Sequence, residues 1–488
     1  MKDFMILPST TCRLIQSSFK YYSQMSTSVN KILSPPISVR GMMELEKDKF
    51  SKLIEFPSIK IPTKLVNRIV GLSIFNKYRL ECLPRLKVFF HKIDNFKRLL
   101  FDPDKLEEVG EEEKEEIIGQ IGKQINSKVE FEKFCYLMEY EDWTTKNCLK
   151  AILPENVEFS GFEQCGHIIH LNLREKLLPF RFVIGKILLD KIQRTRTVIN
   201  KLDSLTHDYR IMDVELLAGD ADYATEVIEN GIRYKLDYSK VFWNSRLITV
   251  HSKTVEQFDQ NSVVFDVFCG IGPFILPAVK IKNVIKAYGN DLNPSAIAFL
   301  KQNAKLNKIS EDKIEGFVLN GAEFIKKIIP EKIYFHCEEL EKEKLTNLVF
   351  HVVMNLPGYS AEHLPYFCGF LSKFEEIRPL FENNSFSILV HCHFFVKGHD
   401  DVPMSWYDKE AKRIVCEKMG MEDVEIKELF FNRKVSTRKN MYCARIILPC
   451  KYIFDKNKEM GKEIEEENFE ENGIKNEDEL KIKRRKIV

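Results

Sequence analysis

The feature that most constrains the fold is a repeated pattern in the second half of the chain, where short apolar runs alternate with turns and helical stretches. The run SVVFDVFC is followed by the glycine turn GIGPF and then by the helical stretch ILPAVKIK. Comparable apolar runs recur in NVIKAYGNDL, EGFVLNG, LVFHVVMNLP, SFSILVHCHFF and MYCARIILP. Alternating strands and helices predict a mainly parallel sheet covered on both faces, with ligands at the carboxyl ends of the strands. We therefore predict a doubly wound α/β domain over residues 246–454.

The rest of the chain is divided by changes in composition and pattern. Residues 41–127 carry long charged stretches, and the pattern from Gly41 to about residue 115 predicts helices. Residues 128–245 contain the strand-like runs GHIIHLNLR, IMDVELLAG, GIRYKLDYS and KVFWNS, with a helix starting near Pro179. This second region is predicted to be a mixed α/β module, and the first a small N-terminal domain.

Both ends of the chain differ from the middle. Through Arg40 the only acidic residue is Asp3, and serine and threonine are abundant, which is typical of a mitochondrial transit peptide; a disordered terminus of chance composition is the alternative. Met25 offers an internal start that would give a second form. Residues 455–488 are almost purely charged and are predicted to be disordered, and their basic end from Lys481 to Lys486 is typical of nuclear localisation signals.

Composition excludes several classes of protein. No run of 18 apolar residues occurs, so no membrane span is expected. The 12 cysteines include no CxxC pair, which argues against a zinc ribbon or a redox dithiol and favours a reducing compartment. His391, Cys392 and His393 lie in a strand-like run where neighbouring side chains point to opposite faces, so no metal site is predicted there.

The first candidate site is the glycine turn that follows the run SVVFD. Gly270 and Gly272 allow a tight turn and a close approach of the backbone to a ligand. The dinucleotide fingerprint GxGxxG requires a third glycine, and its place here is taken by Phe274 and Ile275, so a pyrophosphate ligand is disfavoured. Asp266 provides a carboxylate just before the turn. This arrangement suits a ligand with an ammonium group, as in the methionine part of S-adenosylmethionine.

An acidic residue follows the second strand of the pattern. Asp291 lies 19 residues after Gly272, close to the spacing of about 20 at which an acid accepts hydrogen bonds from ribose hydroxyls. Capping of the next helix, in which Asn293 and Pro294 can also take part, is the alternative role. The spacing favours ribose binding by Asp291.

Amide side chains follow two further strands. Asn320 and Gly321 end the third strand, where an amide and a backbone N–H can contact the edge of an adenine. Asn355 ends the fourth strand and precedes a proline turn in NLPGY. This Asn-x-Pro arrangement resembles the one with which methyltransferases hold a planar nitrogen nucleophile.

Together with longer matching stretches, these motifs make the chain similar to the eukaryotic and archaeal family of tRNA guanine-N1 methyltransferases that act on guanosine 37, next to the anticodon. The stretches keep their order over about 400 residues. They are VRGM, SGFEQCGHIIHLNLREKLLPF, KVFWNSRL, DVFCGIGPF, NDLNP, MNLP and NRKVSTRKNMYC. The resemblance implies a class I, Rossmann-like methyltransferase domain with a mixed sheet, preceded by an α/β RNA-binding module and a small N-terminal domain that recognises tRNA.

The resemblance also implies partners and site residues. We expect a monomer without membrane attachment that uses S-adenosylmethionine, binds the anticodon stem-loop and body of tRNA, and forms the first intermediate toward wybutosine in phenylalanine tRNA. The expected locations are the mitochondrial matrix, the nucleus and the cytoplasm. Arg246 and Asn355 are the expected catalytic residues, and no metal is expected. The expected cofactor-binding residues are His251, Asp266, Gly270, Gly272, Asp291, Leu292, Asn320, Gly321 and Asn355.

The chemistry of the reaction explains the two catalytic assignments. Guanine N1 carries a proton at neutral pH, and its removal moves negative charge onto O6, so the site needs a proton acceptor near N1 and a donor near O6. The guanidinium of Arg246 matches a carbonyl oxygen, and the amide of Asn355 can hold the base edge. A structural ion pair is the alternative role for Arg246.

The chain departs from the family pattern at two positions. The pattern places a glutamate, to which the base role is given, four residues after the arginine in a Thr-Glu-His sequence, but here Thr249 and His251 enclose Val250. His251, Glu256 or a water molecule could replace the base, catalysis could be reduced, or the base could be dispensable. Asn320 replaces an aspartate of the family pattern, which is a mild change.

Candidate tRNA contacts follow from residue type. Tyr359 and Trp243 are candidates for stacking on a flipped base, although an aromatic residue in a strand-like run is as often part of the core. The candidates for phosphate binding are Arg433, Lys434, Arg438 and Lys439.

Three other functions fit parts of the pattern. Methylation of an exocyclic amino group is suggested by NLPGY, which resembles the Asn-Pro-Pro-Tyr of such enzymes. Loss of the glutamate would also fit a protein that binds tRNA and S-adenosylmethionine with impaired catalysis. An NAD-dependent dehydrogenase is disfavoured by the missing third glycine.

Overall fold

The structure is a computed structural model that describes residues 32–81, 83–87, 89–93, 95–202, 213–342, 347–399 and 402–455. The chain forms two compact units. Unit 1 contains the described residues up to Leu202 together with Val214–Asp222, and unit 2 contains Asp213 and the described residues from Tyr223 onward. The predicted tail from 456 and the predicted targeting segment up to residue 31 lie outside the described residues.

Unit 1 contains two four-stranded sheets. Its strands are β1 (Lys52–Pro62), β2 (Phe89–Ile93), β3 (Phe96–Leu100), β4 (Glu132–Met138), β5 (Glu163–Cys165), β6 (Ile168–Leu171), β7 (Thr197–Lys201) and β8 (Val214–Gly219). One sheet has the order β2-β3-β1-β4 and is antiparallel. The other has the order β5-β6-β7-β8, in which only β6 and β7 are parallel.

The helices of unit 1 are mostly short. They are α1 (Val66–Val70), α2 (Ser73–Tyr78), α3 (Pro103–Glu107), α4 (Glu111–Ile125), α5 (Thr145–Ile152) and α6 (Arg181–Lys191). Among the described residues of this unit, 3₁₀ segments accompany them at Ile37–Val39, Lys47–Phe50, Thr63–Leu65, Tyr140–Asp142 and Glu175–Phe180. Trp143 is fully buried in this unit, and its indole N–H donates to the carbonyl of Phe50 at 2.9 Å.

The prediction of a helical region from Gly41 to about residue 115 is wrong, because three strands lie within it. In β1 the side chains of Ile54, Phe56, Ile59 and Ile61 are buried, and β1 pairs on one edge with β3 and on the other with β4. Strand pairing with segments up to about 80 residues away therefore overrides the local helical pattern. Residues 32–40, assigned from sequence to the targeting segment, include the fully buried Val39.

Unit 2 contains a hairpin and a seven-stranded sheet. Its strands are β9 (Ala224–Glu229), β10 (Ile232–Asp237), β11 (Ser262–Asp266), β12 (Lys286–Asn290), β13 (Ile314–Phe317), β14 (Leu348–Met354), β15 (Phe386–Lys397), β16 (Ile426–Ser436) and β17 (Lys439–Ile447). The sheet order is β13-β12-β11-β14-β15-β17-β16, with parallel pairing from β13 to β15 and antiparallel pairing of β17 and β16. This architecture confirms the predicted doubly wound α/β domain with a mixed sheet.

Helices cover the large sheet. They are α7 (Ile248–Val255), α8 (Ile275–Lys280), α9 (Pro294–Leu306), α10 (Gly321–Glu323), α11 (Ile329–Lys342), α12 (Arg378–Glu382), α13 (Met404–Met419) and α14 (Cys450–Ile453). A π-helical stretch at Phe324–Ile328 joins α10 to α11, and 3₁₀ segments occur at Ser245–Leu247, Glu311–Lys313, Ser360–Phe367 and Glu375–Ile377. Within the described ranges no helix has the length and apolar character needed to cross a bilayer.

The segment before residue 246 differs from its prediction. The sequence placed a domain boundary at residues 245 and 246, whereas in the structure the β9–β10 hairpin already belongs to unit 2. The run KVFWNS was predicted as a strand, but residues 241–244 have no regular structure. Its aromatic residues gave it a strand-like composition, but no strand among the described residues pairs with it.

Candidate active site

The glycine turn after β11 has a backbone that requires glycine at two positions. Gly270 and Gly272 have φ angles of +51° and +97°. A Cβ on Gly272 would lie 2.5 Å from Cδ1 of Leu300 in α9, whereas nothing lies within 4 Å of a Cβ on Gly270. Gly270 is therefore needed for conformation alone, and Gly272 for both conformation and close packing against α9.

Asp266, at the end of β11, is a buried carboxylate with an open oxygen. Oδ1 accepts a hydrogen bond from the backbone N–H of Phe268 at 3.2 Å. Oδ2 is buried and has no hydrogen-bond partner within the part of the chain that the structure describes. Burial raises the pKa of Asp266 well above its usual range, and the Asp291 carboxylate adds to the rise. A cationic ligand group would compensate this buried carboxylate.

Asp291 follows β12 and fastens the glycine turn. Its Oδ2 accepts from the N–H of Gly270 at 2.9 Å, and its Oδ1 accepts from the N–H of Asn293 at 2.9 Å. Burial raises the pKa of Asp291. The helix cap is a different residue, because Asn293 accepts from the N–H of Ser295 and Pro294 opens α9. Each oxygen of Asp291 retains a lone pair for a ligand hydroxyl, and Leu292 beside it is exposed.

Sequence reasoning missed Asn290, which joins three strand ends. Its side-chain N–H groups donate to the carbonyls of Val267 and Leu319 at 3.0 Å each, and its oxygen accepts from the N–H of Leu319 at 3.0 Å. The residue is buried, so its polar atoms are satisfied by the loops after β11 and β13. An amide directly before Asp291, at a strand end, is the only sequence signal that pointed to it.

The third predicted position combines a helix cap with a tightly packed glycine. Asn320 is exposed, and its Oδ1 accepts from the N–H of Ala322, so one lone pair is already used to cap α10. A Cβ on Gly321 would lie 2.8 Å from Cε1 of Phe268 in the glycine turn. The two loops are therefore in direct contact, which makes Asn320 and Gly321 one wall of the same site.

Asn355 follows β14 and contributes a second open acceptor. Its Oδ1 is buried and has no hydrogen-bond partner among the described residues. The turn behind it is rigid, because the hydroxyl of Ser360 accepts from the N–H of Leu356 at 2.9 Å and donates to the carbonyl of Met354 at 3.0 Å. Tyr359, at the end of this turn, is 56% exposed.

The segment with the expected catalytic arginine leads into α7. Arg246 is exposed, and its N–H donates to the side chain of Asn244, which caps the 3₁₀ turn Ser245–Leu247. Val250 is 3% exposed and lies inside the unit. Of the residues considered as substitutes for a base, Glu256 is exposed at the far end of α7, whereas His251 is buried. His251 Nδ1 lies 2.6 Å from Oε1 of Glu229, a partner that the sequence did not reveal.

The stacking prediction is wrong for Trp243. This side chain is 4% exposed and packs on Tyr234, with ring centroids 5.2 Å apart. The neighbouring Phe242 is instead 50% exposed. Trp243 therefore takes the alternative role, as part of the core.

The phosphate candidates gather at one end of the β16–β17 hairpin. We call Lys397, Arg433, Lys434, Arg438 and Lys439 the basic hairpin. Lys397 faces Lys439 across the β15–β17 pair, and this facing position could not be read from sequence. Lys397, Arg433, Lys434 and Lys439 form no ion pair with any described residue. The basic hairpin lies at the carboxyl end of β15, where the N–H of Phe395 donates to Pro357 in the Asn355 turn at 3.0 Å.

Histidines of the central strands are buried on the face covered by α7. His351 Nδ1 and His391 Nε2 lie 2.9 Å apart, and His393 stacks on Phe274 of the glycine turn. Burial lowers the pKa of His351 and of His393 to about 3. The described residues contain no group of His, Cys, Asp and Glu side chains that could hold a metal ion.

Comparisons with known families agree with this geometry. The family described as TRM5/TYW2 methyltransferase domain matches residues 225–371. The family described as TYW2 N-terminal domain matches residues 145–222. The boundary between the two matches falls within three residues of the boundary between the two structural units.

Individual relatives match most of the chain. The tRNA (guanine(37)-N(1))-methyltransferase of Caenorhabditis elegans is 39% identical over 436 residues, which cover 86% of this chain and 91% of the relative. The protein of the same name from Xenopus tropicalis is 34% identical, covering 92% of this chain and 88% of the relative. A solved structure of aTrm5 in complex with tRNALeu matches with a TM-score of 0.51 and 20% identity, covering 80% of this chain and 99% of that one, which shows the fold.

Proposed function

The chain belongs to the tRNA (guanine(37)-N(1))-methyltransferase family of enzymes, and on that premise we propose that it transfers the methyl group of S-adenosylmethionine to N1 of guanosine 37 in tRNA. The observation that carries this proposal is the pair of open acceptors, Asp266 Oδ2 and Asn355 Oδ1, at the ends of adjacent strands. A buried carboxylate requires a cation, and a buried amide oxygen requires a donor. The ammonium of the cofactor and the N–H edge of guanine meet these requirements.

The residues around the glycine turn fit the cofactor. When bound, S-adenosylmethionine supplies a methyl group on a positively charged sulfur. Asp266 would accept from its ammonium, and the two oxygens of Asp291 from its ribose hydroxyls. Gly270 and Gly272 have no Cβ, so the backbone can approach these groups closely. Asn320 and Gly321 would border the adenine.

The target base would be held from two sides. Asn355 Oδ1 would accept from the guanine N–H edge, which orients N1 at the carboxyl end of the sheet. Arg246 would donate to O6, where negative charge develops as the N1 proton leaves. With Val250 at the position of the family glutamate, this proton goes to solvent or to His251. The N1 lone pair would then attack the methyl carbon while the bond from that carbon to sulfur breaks, with S-adenosylhomocysteine as the leaving group, and alignment by the residues of the site would account for most of the rate.

The RNA would approach along the carboxyl edge of the sheet. Four cations of the basic hairpin have no carboxylate partner among the described residues, namely Lys397, Arg433, Lys434 and Lys439. Phosphodiester groups are the natural counter-charges for such a cluster. The exposed rings of Tyr359 and Phe242 provide faces on which an unstacked base can rest.

Nucleoside analysis tests the proposal. Purified protein is incubated with labelled S-adenosylmethionine and unmodified tRNA with guanosine 37, and the digested nucleosides are identified. N1-methylguanosine is expected, and none should form on a control tRNA with adenosine 37. Labelled N2-methylguanosine or N6-methyladenosine would instead identify an exocyclic-amino methyltransferase. Binding of both substrates without transfer would identify a binding protein.

The Asn355→Ala variant tests the residue that carries the proposal. Removal of a hydrogen bond to the reacting base should lower the single-turnover rate by roughly 10²-fold, because orientation accounts for most of the rate. Affinity for S-adenosylmethionine should change less than the rate. Ser360→Ala is the matched control, because it loosens the same turn without removing the acceptor.

We further propose that the substrates include phenylalanine tRNA, where the product would be the first intermediate toward wybutosine, as well as cytoplasmic and mitochondrial tRNAs generally.

Residues 1–28 would direct import into the mitochondrial matrix. The basic end of the tail would direct protein that is not imported to the nucleus, and the rest would stay in the cytoplasm. Fusion of residues 1–28 to a fluorescent reporter tests import, and a diffuse reporter would disprove it. A monomer is expected, and light scattering of the purified protein with and without tRNA checks this.

A further inference from the structure

Two ionisable side chains are buried against each other in unit 2, and one of them belongs to the expected cofactor-binding residue His251. Glu229 ends β9 and His251 lies in α7, and both side chains are 5% exposed. The imidazole Nδ1–H donates to the carboxylate across 2.6 Å. Desolvation of two such groups is expensive, so a pair of this kind is weak evidence for stability, and a role in arranging the elements that carry it is the hypothesis to test.

The hairpin turn next to Glu229 makes a second contact with the same helix. Asn230 and Gly231 have φ angles of +50° and +79°, as expected for a tight two-residue hairpin turn. The side-chain amide of Asn230 donates to the hydroxyl of Ser252 at 2.8 Å. Consecutive residues of the turn thus contact consecutive residues of α7, which fixes the helix both along its axis and in rotation.

The hairpin is in turn attached to the cofactor side of the sheet. Asn303 in α9 accepts from the N–H of Lys235 at 2.8 Å and donates to its carbonyl at 3.1 Å. Asn307 makes the same two contacts with Arg233, at 2.9 and 2.7 Å. Side-chain amides of α9 therefore complete the free edge of β10 as a neighbouring strand would. Because α9 starts just after Asp291, the hairpin is held in register with the ribose-binding loop.

Arg246 lies at the end of this chain of contacts. Its 3₁₀ turn runs directly into α7, so the orientation of α7 sets the position of the Arg246 backbone. His251 also packs edge-on against Phe274 of the glycine turn, with ring centroids 5.0 Å apart. We propose that Glu229 and His251 form a positioning pair that holds α7, and with it Arg246, over the carboxyl edge of the sheet. This role rests on the proposed methyltransferase activity.

Kinetics of Glu229→Ala and Glu229→Gln test the pair. With tRNA and S-adenosylmethionine saturating, Glu229→Ala should lower the single-turnover rate by roughly 10- to 100-fold, as expected for misplacement of a catalytic group by about 1 Å. Glu229→Gln keeps a hydrogen-bond acceptor and should retain more of the rate. Affinity for S-adenosylmethionine is measured separately, because His251 is itself an expected cofactor-binding residue, and the loss of rate at saturating cofactor should exceed any loss of affinity.

A double-mutant comparison separates positioning from general destabilisation. In an Arg246→Ala background, Glu229→Ala should cause little further loss, because the group that it positions is absent. Tyr288→Phe is the matched control, because it removes another buried contact to a histidine, the 2.9 Å hydrogen bond to His336. This control should lower the unfolding temperature without a selective loss of rate. Independent, multiplying losses from Glu229→Ala and Arg246→Ala would overturn the proposal.

Hydrogen exchange gives a readout that does not depend on activity. The amides of residues 245–248 should exchange faster in Glu229→Ala and Glu229→Gln than in wild type, and at the wild-type rate in Tyr288→Phe. Unchanged exchange in both Glu229 variants would refute positioning. If the wild-type protein methylates no tRNA, the proposed function fails, while the exchange result still decides whether the pair holds the Arg246 turn.

Discussion

The backbone N–H of Gly270 donates a 2.9 Å hydrogen bond to Oδ2 of Asp291, so the glycine turn is fastened by the acid expected to bind ribose. The second oxygen of Asp291 accepts from the N–H of Asn293 at the start of α9. The acid therefore organises both loops that border the cofactor before any ligand arrives. Substitution of Asp291 should change both the conformation of the glycine turn and the affinity of the protein for the cofactor.

Asp291→Ala should weaken binding of S-adenosylmethionine by about 1.5–3 kcal/mol, the range for hydrogen bonds to a charged group. Isothermal titration calorimetry measures the change. Asp291→Asn is the control, because it can keep one acceptor for the turn and should lose less. Unchanged affinity in a folded Asp291→Ala protein would show that the ribose lies elsewhere.

Asp266→Asn should stabilise the free protein while weakening cofactor binding. The pKa of Asp266 is raised in the folded state, so its stabilising contribution is fully present below the unfolded pKa and is lost as pH rises through the folded pKa. At neutral pH the amide should thus give the higher unfolding temperature. Affinity of the wild type for S-adenosylmethionine should rise with pH through the folded pKa of Asp266, and this dependence should vanish in the variant. A pH-independent wild-type affinity would contradict the assignment of the ammonium to Asp266.

Gly272→Ala should destabilise unit 2 more than Gly270→Ala. Both positions have positive φ, which costs a residue with a side chain about 1–2 kcal/mol. Only at position 272 does the added Cβ also meet Leu300 and Leu276, at 2.5 and 3.1 Å. Denaturant unfolding of the two variants measures the difference. Equal losses would show that Leu300 and Leu276 move aside at no cost.

Buried histidines should make the protein less stable in mild acid. The pKa of His336 is lowered to about 4, mainly by burial and then by Lys286 and Lys332. Between pH 6.5 and 4 this histidine binds a proton in the unfolded chain but stays neutral in the folded protein. The free energy of unfolding should therefore fall by up to roughly 1.4 kcal/mol for each unit by which the pH is lowered.

The His336→Gln variant isolates that contribution. The raised pKa of Asp266 and of Asp291 acts in the opposite direction, but it is common to both proteins and cancels in the comparison. Denaturant unfolding at several pH values should show a shallower acid loss for His336→Gln than for the wild type. Parallel curves would mean that the pKa of His336 is the same in the folded and unfolded states.

The rate of the wild-type enzyme should rise with pH, because Val250 cannot accept the N1 proton. A positioned carboxylate contributes about 10²–10⁴-fold to such a step, so Val250→Glu should raise the single-turnover rate near neutral pH and flatten its pH dependence. Val250→Gln, which has a similar size and no basic group, is the control. An unchanged rate and an unchanged pH dependence in Val250→Glu would show that the N1 proton already has another acceptor in the wild type.

The local pattern of the sequence was sufficient to predict the architecture of unit 2 and the positions of Asp266, Asp291 and Asn355. Strand, glycine turn and helix follow one another within short stretches, and parallel strands bring their carboxyl ends to one edge. The family resemblance was likewise readable from ordered motifs and is confirmed by relatives with 39% and 34% identity.

Tertiary structure decided what depends on residues far apart in the chain. The segment that forms β1 was predicted to be helical from its local pattern. Its strand partners β3 and β4 lie about 40 and 80 residues away, so a local pattern does not reveal them. Burial of Trp243 and exposure of Phe242 depend on how an irregular segment packs, which no periodicity encodes. The Glu229–His251 pair and the facing lysines Lys397 and Lys439 join segments 22 and 42 residues apart. Contacts of this kind arise only when the chain is folded, because their energy depends on distance and burial and not on sequence spacing.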